Sequence, residues 1–161
     1  MSEIRVGLGI DIHHVSDDPA RPLMLGGVRF EGEPGLAGHS DGDAVCHAVA
    51  DALLGAAGLG DVGDHFPDTD PATEGIAGPT LLGEVVGLLR EHGSVPRACD
   101  LTVLADRPHI APHRDEIREL LARVLGLSAT SVSVKATRPE GLGLSGDGIG
   151  CFAVVTVAEG P

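Results

Sequence analysis

A segment with helical apolar spacing, residues 43–57, places the strongest constraint on the fold of this chain. Its sequence DAVCHAVADALLGAA repeats apolar side chains at the three- and four-residue intervals that build one face of a helix. Ser40 precedes the segment with Asp43 three residues later, which is the pattern of a helix N-cap, and Gly58 follows it. We therefore expect a helix that is capped by Ser40 and stops near Gly58.

Apolar periodicity divides the rest of the chain into strands and two further helices. We expect strands at residues 3–13, 23–30, 98–105, 131–137 and 150–158, and helices at 79–91 and 112–124. The order β-β-α-α-β-α-β-β predicts an α+β fold, a mixed β-sheet with helices packed on one face. Glycine is abundant, with 24 residues, and is expected to mark the joints between these elements. Because no repeat or linker interrupts the pattern, residues 1–161 are expected to form a single domain.

Charge and aromatic content argue against two classes of partner. The chain has 11 Lys and Arg residues against 24 Asp and Glu residues, a formal net charge of -13, and 3 Phe with no Trp or Tyr. It therefore lacks the basic surface that binds nucleic acids or anionic membranes, and the aromatic surface that stacks on bases. Its three cysteines lie far apart in apolar contexts, and no segment approaches the roughly 20 apolar residues of a membrane span. We expect a soluble, cytoplasmic protein with neither nucleic acid nor membrane as partner.

One aspartate and two histidines form a candidate metal site. Asp11 and His13 lie at the end of the first predicted strand, where alternate residues point to the same side. His47 lies in the first helix, and Asp43 and Asp51, each four residues away, project from the same helix face. Two histidines and one carboxylate are a ligand set that zinc accepts, with a fourth position left open for a substrate oxygen.

The alternative interpretation is that His47 is a core histidine with its hydrogen bonds satisfied, as a lone histidine in an apolar helix usually is. Other polar residues near it in sequence favour the metal site over this alternative. They are His39, Ser40, Asp41, Asp61, Asp68 and Asp70.

Three segments of the chain closely resemble a known enzyme family. They are RVGLGIDIH, GLAGHSDGDAVCHAVADALLGAAGLGDVGDHFPDTDP and, more loosely, RPHIAPHRDEIRELLARVLGL. The family is that of the 2-C-methyl-D-erythritol 2,4-cyclodiphosphate synthases of the non-mevalonate route to isoprenoids, and the resemblance spans nearly the whole chain. It implies a phosphorus-oxygen lyase that converts 4-diphosphocytidyl-2-C-methyl-D-erythritol 2-phosphate to the 2,4-cyclodiphosphate and CMP. It also implies a homotrimer in which each site is shared between neighbouring subunits.

The same resemblance implies two kinds of metal ion. Asp11, His13 and His47 match the family's zinc ligands, with one zinc ion per subunit, in agreement with the spacing argument. Glu140 matches the acid that holds a second ion, magnesium or manganese, between the two phosphates of the cytidine diphosphate group.

The resemblance further implies the residues that contact substrate. Those that match catalytic positions are His39, Arg138 and Glu140. Those that match substrate-binding positions are Asp11, His13, His39, Ser40, Asp61, Gly63, Asp68, Ala105, Pro108, Ala111, Thr137, Arg138 and Glu140. Within this set His39 and Ser40 are expected to hold phosphate and the methylerythritol portion, and the stretch from Ala105 to Ala111 to receive cytosine. Ser40 at a helix N-terminus would add free backbone N–H groups, which favour an anion.

The tail of the chain departs from the family pattern. Arg138 and Pro139 replace two threonines, and we hypothesise that Arg138 offers its charge to the α- or β-phosphate. Asp147 stands in place of an arginine that, in family members, holds the diphosphate of an isoprenoid bound in an axial channel. Because three carboxylates around an axis would repel that group, we expect no isoprenoid diphosphate to bind there. Two alternatives to the synthase remain, a metal-dependent phosphohydrolase and a catalytically weak trimeric binding protein.

Overall fold

Strands and helices follow one another along the chain in an order close to the predicted one. The computed structural model describes residues 3–143 and 147–160. Its strands are β1 (Ile4–His14), β2 (Pro22–Leu25), β3 (Val28–Pro34), β4 (Ser94–Leu104), β5 (Val132–Thr137) and β6 (Gly148–Glu159). Its α-helices are α1 (Ala44–Ala57), α2 (Val62–His65), α3 (Gly78–Glu91) and α4 (Arg114–Leu125).

Four of the strands form a mixed sheet in the order β1-β6-β4-β5. β6 runs antiparallel to β1 and β4, whereas β4 and β5 are parallel and are joined through α4. As a result β1, β4 and β5 run in the same direction, and their carboxyl ends meet at one end of the sheet. β1 and β5 are the two edge strands, so side chains at their ends lie at opposite corners of that end.

The three long helices cover one face of this sheet, which confirms the predicted α+β architecture. α1 packs on β1 and β6, α3 packs on α1 and β4, and α4 packs on β5. The contact between α1 and β1 is unusually close because the β1 residues that face the helix are glycines. A Cβ atom on Gly7 would lie 1.9 Å from the carbonyl oxygen of Ala52, and one on Gly9 would lie 1.9 Å from that of Ala48. These glycines lie inside a strand and not at a joint, and they allow a close approach of two backbones.

The opposite face of the sheet at β1 and β6 is apolar and exposed, and we call it the open face. Alternation along β1 directs every second side chain to this side. Its exposed side chains are Ile4, Val6, Leu8, Ile10 and Ile12 of β1 with Phe152 and Val154 of β6. Within residues 3–143 and 147–160 nothing covers this face, although an apolar patch of this kind usually marks an interaction surface.

The prediction of one strand at 23–30 is wrong, because the segment forms the β2–β3 hairpin. Gly26 and Gly27 form its two-residue turn with φ values of 60° and 78°. Two successive positive φ angles define the turn that matches the twist of a hairpin, and glycine adopts them without a steric penalty.

The prediction that Ser40 caps the first helix is also wrong, because Asp43 is the N-cap of α1. The Asp43 carboxylate is fully buried and accepts hydrogen bonds from the backbone N–H groups of Val45 and Cys46 at 3.1 and 3.0 Å. It also accepts from the N–H groups of Gly26 and Gly27 at 2.8 and 2.6 Å. One side chain therefore caps α1 and fixes the hairpin turn to it. The predicted end of the helix is confirmed, since Gly58 has a φ of 74° at its C-cap.

The remaining elements follow the predicted pattern with small shifts. α3 and α4 lie within two residues of the predicted helices, and a 3-10 turn at Ala111–His113 precedes α4. β4 begins at Ser94, before the predicted residue 98, because its pairing with β6 continues past an irregularity between Pro96 and Ala98. None of the helices that the structure describes is long and apolar enough to cross a bilayer.

Candidate metal centre and active site

Asp11, His13 and His47 meet at the carboxyl end of β1, where α1 begins its second turn. One potential ligand atom from each lies within 4.8 Å of those of the other two. Asp11 Oδ2 is 2.8 Å from His13 Nε2 and 3.4 Å from His47 Nδ1. β1 places the side chains of Asp11 and His13 on the face of the sheet that α1 covers. The close packing of α1 on Gly9 brings His47 next to them. The predicted convergence of these three residues is therefore present.

Backbone and side-chain contacts orient both imidazole rings. His13 Nδ1 donates to the carbonyl oxygen of Ala37 at 2.6 Å, which leaves Nε2 of the neutral ring with a lone pair directed at Asp11. His47 Nε2 is hydrogen-bonded to Ser40 Oγ at 3.1 Å, so that Nδ1 faces Asp11. Such outer contacts fix the tautomer and the direction of a metal-binding histidine.

The donor atoms of this cluster fit a divalent cation. Asp11 Oδ2 and His13 Nε2 are buried and make no hydrogen bond of acceptable geometry within the described residues. Burial opposes ionisation of Asp11, but the neighbouring imidazoles of His13 and His47 outweigh it and lower the pKa of that carboxyl to about 2. The Asp11 carboxylate, 2.8 Å from Nε2, raises the pKa of His13 above its usual value. A carboxylate that stays ionised beside two imidazoles is a favourable set for zinc.

The carboxylates that flank His47 in sequence do not contribute to this cluster. Asp43 is used as the cap of α1, and Asp51 Oδ1 accepts from the backbone N–H of Val62 at 3.2 Å. The carboxylate beside His47 is instead Asp11, which comes from the neighbouring strand. The suggestion that the start of α1 offers free N–H groups to an anion also fails, because Asp43 already accepts from Val45 and Cys46.

A cavity of about 310 Å³ opens beside the metal centre. Among the predicted substrate-binding residues it is lined by His13, His39, Ser40 and Asp68, together with His47. His39 Nε2 donates to the carbonyl oxygen of Asp70 at 3.0 Å, which ties the two sides of the cavity together. We call this the metal-side cavity.

Asp61 and Gly63 do not line the metal-side cavity of the single chain. Asp61 caps the short helix α2, where its Oδ1 accepts from Asp64 N–H at 3.0 Å and Asp64 Oδ2 accepts from Asp61 N–H at 3.2 Å. Gly63 is exposed within the same helix. Their expected role in a sugar-alcohol pocket stays a prediction.

A second cavity, of about 230 Å³, gathers the residues predicted to bind the nucleotide. It lies where β4 and β5 end and includes Ala105, Pro108, Ala111, Thr137 and Arg138. We call it the strand-end cavity. The ends of β1 and β5 lie in one row across the four strands. Ile12 pairs with Gly150, Gly150 with Leu104, and Leu104 with Thr137. The two edge strands are three strand spacings, roughly 14 Å, apart.

Glu140 lies outside both cavities. It is exposed in the turn that follows β5, with a φ of 51°. Within the part of the chain that the structure describes, the only cluster of potential metal ligands is Asp11, His13 and His47, so a second-metal role for Glu140 stays a prediction.

Sequence reasoning missed the groups that orient the cluster and part of the cavity lining. The Ala37 carbonyl that holds His13 leaves no signal in the sequence, because every residue type carries the same group. Arg114, outside the predicted stretch from Ala105 to Ala111, also lines the strand-end cavity. A basic residue at the start of a helix near the predicted nucleotide segment is the signal that could have identified Arg114.

Comparison with known proteins places the chain in a family. A model of the YgbB family matches residues 4–158. The 2-C-methyl-D-erythritol 2,4-cyclodiphosphate synthase of Symbiobacterium thermophilum is 50% identical over 155 residues, which cover 95% of this chain and 98% of that relative.

Solved structures carry the same fold. A CDP-bound structure of 2C-methyl-D-erythritol-2,4-cyclodiphosphate synthase matches with a TM-score of 0.86 and 37% identity, over 95% of this chain and 99% of the other. A CDP complex of IspF from Plasmodium falciparum matches with a TM-score of 0.83 and 30% identity, over 100% of this chain and 99% of the other. Because sequence and fold agree over almost its whole length, the chain belongs to the YgbB family.

Proposed function

We propose that this chain converts 4-diphosphocytidyl-2-C-methyl-D-erythritol 2-phosphate into 2-C-methyl-D-erythritol 2,4-cyclodiphosphate and CMP, as a phosphorus-oxygen lyase of isoprenoid biosynthesis. The observation that carries the proposal is the cluster of Asp11, His13 and His47, whose ligand atoms lie within 4.8 Å of one another beside a cavity. Relatives that match almost the whole chain bear the name of this synthase, and one is solved with CDP bound.

The reaction is an exchange of one phosphorus-oxygen bond for another within a single substrate. An oxygen of the 2-phosphate forms a bond to the β-phosphorus, and the bond from that phosphorus to the bridging oxygen breaks. The bridging oxygen leaves with the electron pair as part of CMP. Covalent participation by the protein is not needed, so its task is to position the two ends and to neutralise their charge.

Charge neutralisation is the harder part, because the chain itself carries a net charge of -13. We assign Asp11, His13 and His47 as ligands of one zinc ion per subunit. Glu140 would hold a magnesium or manganese ion at the diphosphate. A bound divalent cation supplies the local positive charge that lowers the repulsion between phosphate groups.

The surrounding side chains orient the substrate in this proposal. His39 and Ser40, which line the metal-side cavity, hold the phosphate and the methylerythritol portion, and Asp68 lies at the same cavity. Thr137 and Arg138 at the strand-end cavity contact the nucleotide diphosphate, and the segment from Ala105 to Ala111 receives cytosine.

Self-association completes the site in this proposal, as a homotrimer. The open face offers a row of five exposed apolar side chains on β1, which a second copy of the chain would cover. The metal-side and strand-end cavities share no lining residue and lie toward opposite edges of the sheet. This separation supports a site in which one subunit contributes the metal ligands and its neighbour contributes the nucleotide-binding residues.

Compartment and partners follow from the same chemistry. The partner is a small-molecule cytidine nucleotide, and the protein works in the cytoplasm, where its three buried and unpaired cysteines are compatible with a reducing environment.

Phosphorus NMR tests the proposed reaction directly. Purified protein, zinc and magnesium are incubated with the substrate, and the products are resolved by their phosphorus signals. We expect the cyclic diphosphate together with CMP. Water attack at the β-phosphorus would release CMP and leave a linear 2,4-bisphosphate, and that product would identify a phosphohydrolase. The absence of turnover together with nucleotide binding would identify a binding protein.

Two variants link that result to the metal centre. His47→Ala removes one proposed ligand and is expected to abolish turnover. His92→Ala removes an exposed histidine at the end of α3 and is expected to leave turnover unchanged. Equal activity of both variants would contradict the assignment of His47.

A further inference from the structure

We infer that Arg21 is a positioning residue that holds the loop over both histidines of the metal centre. Arg21 lies immediately before β2, far in sequence from His47. Its Nη2 atom donates to the carbonyl oxygen of Gly38 at 3.1 Å and also to that of Ser40. A single guanidinium group therefore joins two points of one loop, residues 37–42, which we call the brace loop.

The brace loop contacts both imidazole rings of the metal centre. Its Ala37 carbonyl accepts the hydrogen bond from His13 Nδ1 at 2.6 Å. The backbone of Gly38 lies against the same ring, since a Cβ atom added there would be 3.1 Å from His13 Cε1. At the other end of the loop Ser40 Oγ is hydrogen-bonded to His47 Nε2 at 3.1 Å. The two carbonyl groups that Arg21 holds therefore belong to residues that touch His13 and His47.

Arg21 is itself fixed from several sides. Its backbone carbonyl accepts from the N–H of Gly35 at 3.1 Å, and its own N–H donates to the carbonyl oxygen of Asp18 at 3.2 Å. Its Nε atom is buried and makes no hydrogen bond within the described residues. Arg21 can therefore act as a rigid support for the brace loop.

The contacts of Arg21 distinguish it from a substrate-binding residue. It does not line the metal-side cavity, whose wall on this side is formed by Gly38, His39 and Ser40. In residues 3–143 and 147–160 no carboxylate lies within ion-pair distance of its guanidinium group. Its Nη2 atom donates to two backbone carbonyls, and a planar guanidinium can hold two such acceptors in fixed directions. Arg21 thus acts on the reaction through the histidines and not through contact with substrate.

Cobalt binding tests this role independently of turnover. Apo protein is titrated with Co²⁺, whose visible absorption reports the geometry of its ligands. We expect Arg21→Ala to weaken Co²⁺ binding about 10- to 100-fold, the usual effect of losing an outer contact to a metal ligand, and to alter the absorption band. Millimolar guanidinium ion is expected to restore part of the affinity, because it replaces the missing donors.

Arg29→Ala is the matched control. Arg29 lies in β3, pairs with Glu31 at 2.8 Å and has a side chain that is 61% exposed, so its loss removes the same charge without touching the brace loop. We expect its Co²⁺ affinity and spectrum to equal those of the unmodified protein. Equal affinity and spectrum in Arg21→Ala would overturn the assignment of Arg21.

A folding defect does not remove the test. If Arg21→Ala fails to fold, Arg21→Gln retains a polar side chain that is too short to hold both carbonyls, and it carries the same expectation. If neither variant folds, Arg21 serves the fold as a whole and the positioning role is wrong. The inference depends on the proposed metal centre, and its failure is distinguishable from the failure of that centre. Absence of Co²⁺ binding by the unmodified protein would contradict the centre itself, whereas binding that Arg21→Ala leaves unchanged would contradict only the role of Arg21.

Discussion

Gly9→Ala offers a sharp test of how the fold builds the metal centre. Gly9 lies in β1 two residues before Asp11, and it faces the backbone of α1 next to His47. A methyl group at this position would lie 1.9 Å from the carbonyl oxygen of Ala48 and 2.6 Å from the backbone nitrogen of Ala52. Both neighbours are backbone atoms, which cannot turn away as a side chain can. α1 must therefore move away from β1 or β1 must bend.

The size of that movement follows from the contact distances. Ordinary contacts of a Cβ atom begin near 3.4 Å, so relief of the clash at Ala48 requires a shift of about 1.5 Å. Overfilling a packed core by one methyl group typically costs 1–3 kcal/mol, and we expect at least about 3 kcal/mol here because the obstacle is backbone. The same shift separates His47 Nδ1 from Asp11 Oδ2, now 3.4 Å apart, by more than the roughly 0.2 Å that metal coordination tolerates.

Urea denaturation and zinc titration measure the two effects separately. Apo Gly9→Ala and unmodified protein are unfolded in urea at equal protein concentration, because association would link stability to concentration. Zinc affinity is then measured by competition with a chelator. We expect a lower urea midpoint and a zinc affinity reduced at least about tenfold.

Gly55→Ala is the control, since it adds the same methyl group to α1 at a position with no atom within 4 Å. It is expected to stabilise the chain by about 0.5–1 kcal/mol, because alanine is the better helix former, and to leave zinc binding unchanged. Our explanation of the α1–β1 contact would be refuted if Gly9→Ala matched the unmodified protein in both measurements.

Four further predictions concern other parts of the molecule. Asp43→Ala leaves four backbone N–H groups without their acceptor and is expected to lower the free energy of unfolding by about 3–5 kcal/mol, measured in urea. The pKa of His13 is raised from its usual 6.5, chiefly by the neighbouring Asp11 carboxylate. The stability it adds to the apo protein is therefore complete below pH 6.5 and is lost as the pH rises through the raised value. Zinc must displace the proton of His13, so zinc affinity should increase as the pH rises through the same range. A zinc affinity that calorimetry finds constant over this range would contradict the prediction. Leu8→Glu places a charge on the open face and should yield single protomers in sedimentation velocity, whereas an unchanged assembly would mean that this face is not the interface. Calorimetric titration with farnesyl diphosphate should show no tight binding, because Asp147 repels the diphosphate, and tight binding would refute that expectation.

Residues with a fixed local spacing were predictable from the sequence. Asp11 and His13 are alternate residues of a strand, and the helical period places His47 on one face of α1. The sequence therefore identified these three residues as candidate metal ligands, but it did not give the distances between them. Their meeting depends on which strand lies beside α1. That contact is a tertiary property, which the resemblance to a family supplied and the local pattern did not.

Other features depend on contacts between distant segments, and the sequence patterns did not reveal them. The local pattern predicted Ser40 as the cap of α1, and the choice of Asp43 is explained by the N–H groups of Gly26 and Gly27, which its carboxylate also reaches. A glycine inside a strand has the same local signal as a glycine at a turn. The close approach of a helix explains Gly9, and it leaves no trace in local periodicity.

The central claim is that one ion is held jointly by Asp11, His13 and His47. Anomalous diffraction at the zinc absorption edge, from crystals of the protein grown with zinc, tests it most directly. We predict a peak within bonding distance of Asp11 Oδ2, His13 Nε2 and His47 Nδ1. Zinc bound by a different set of side chains, with these three left without an ion, would contradict the account.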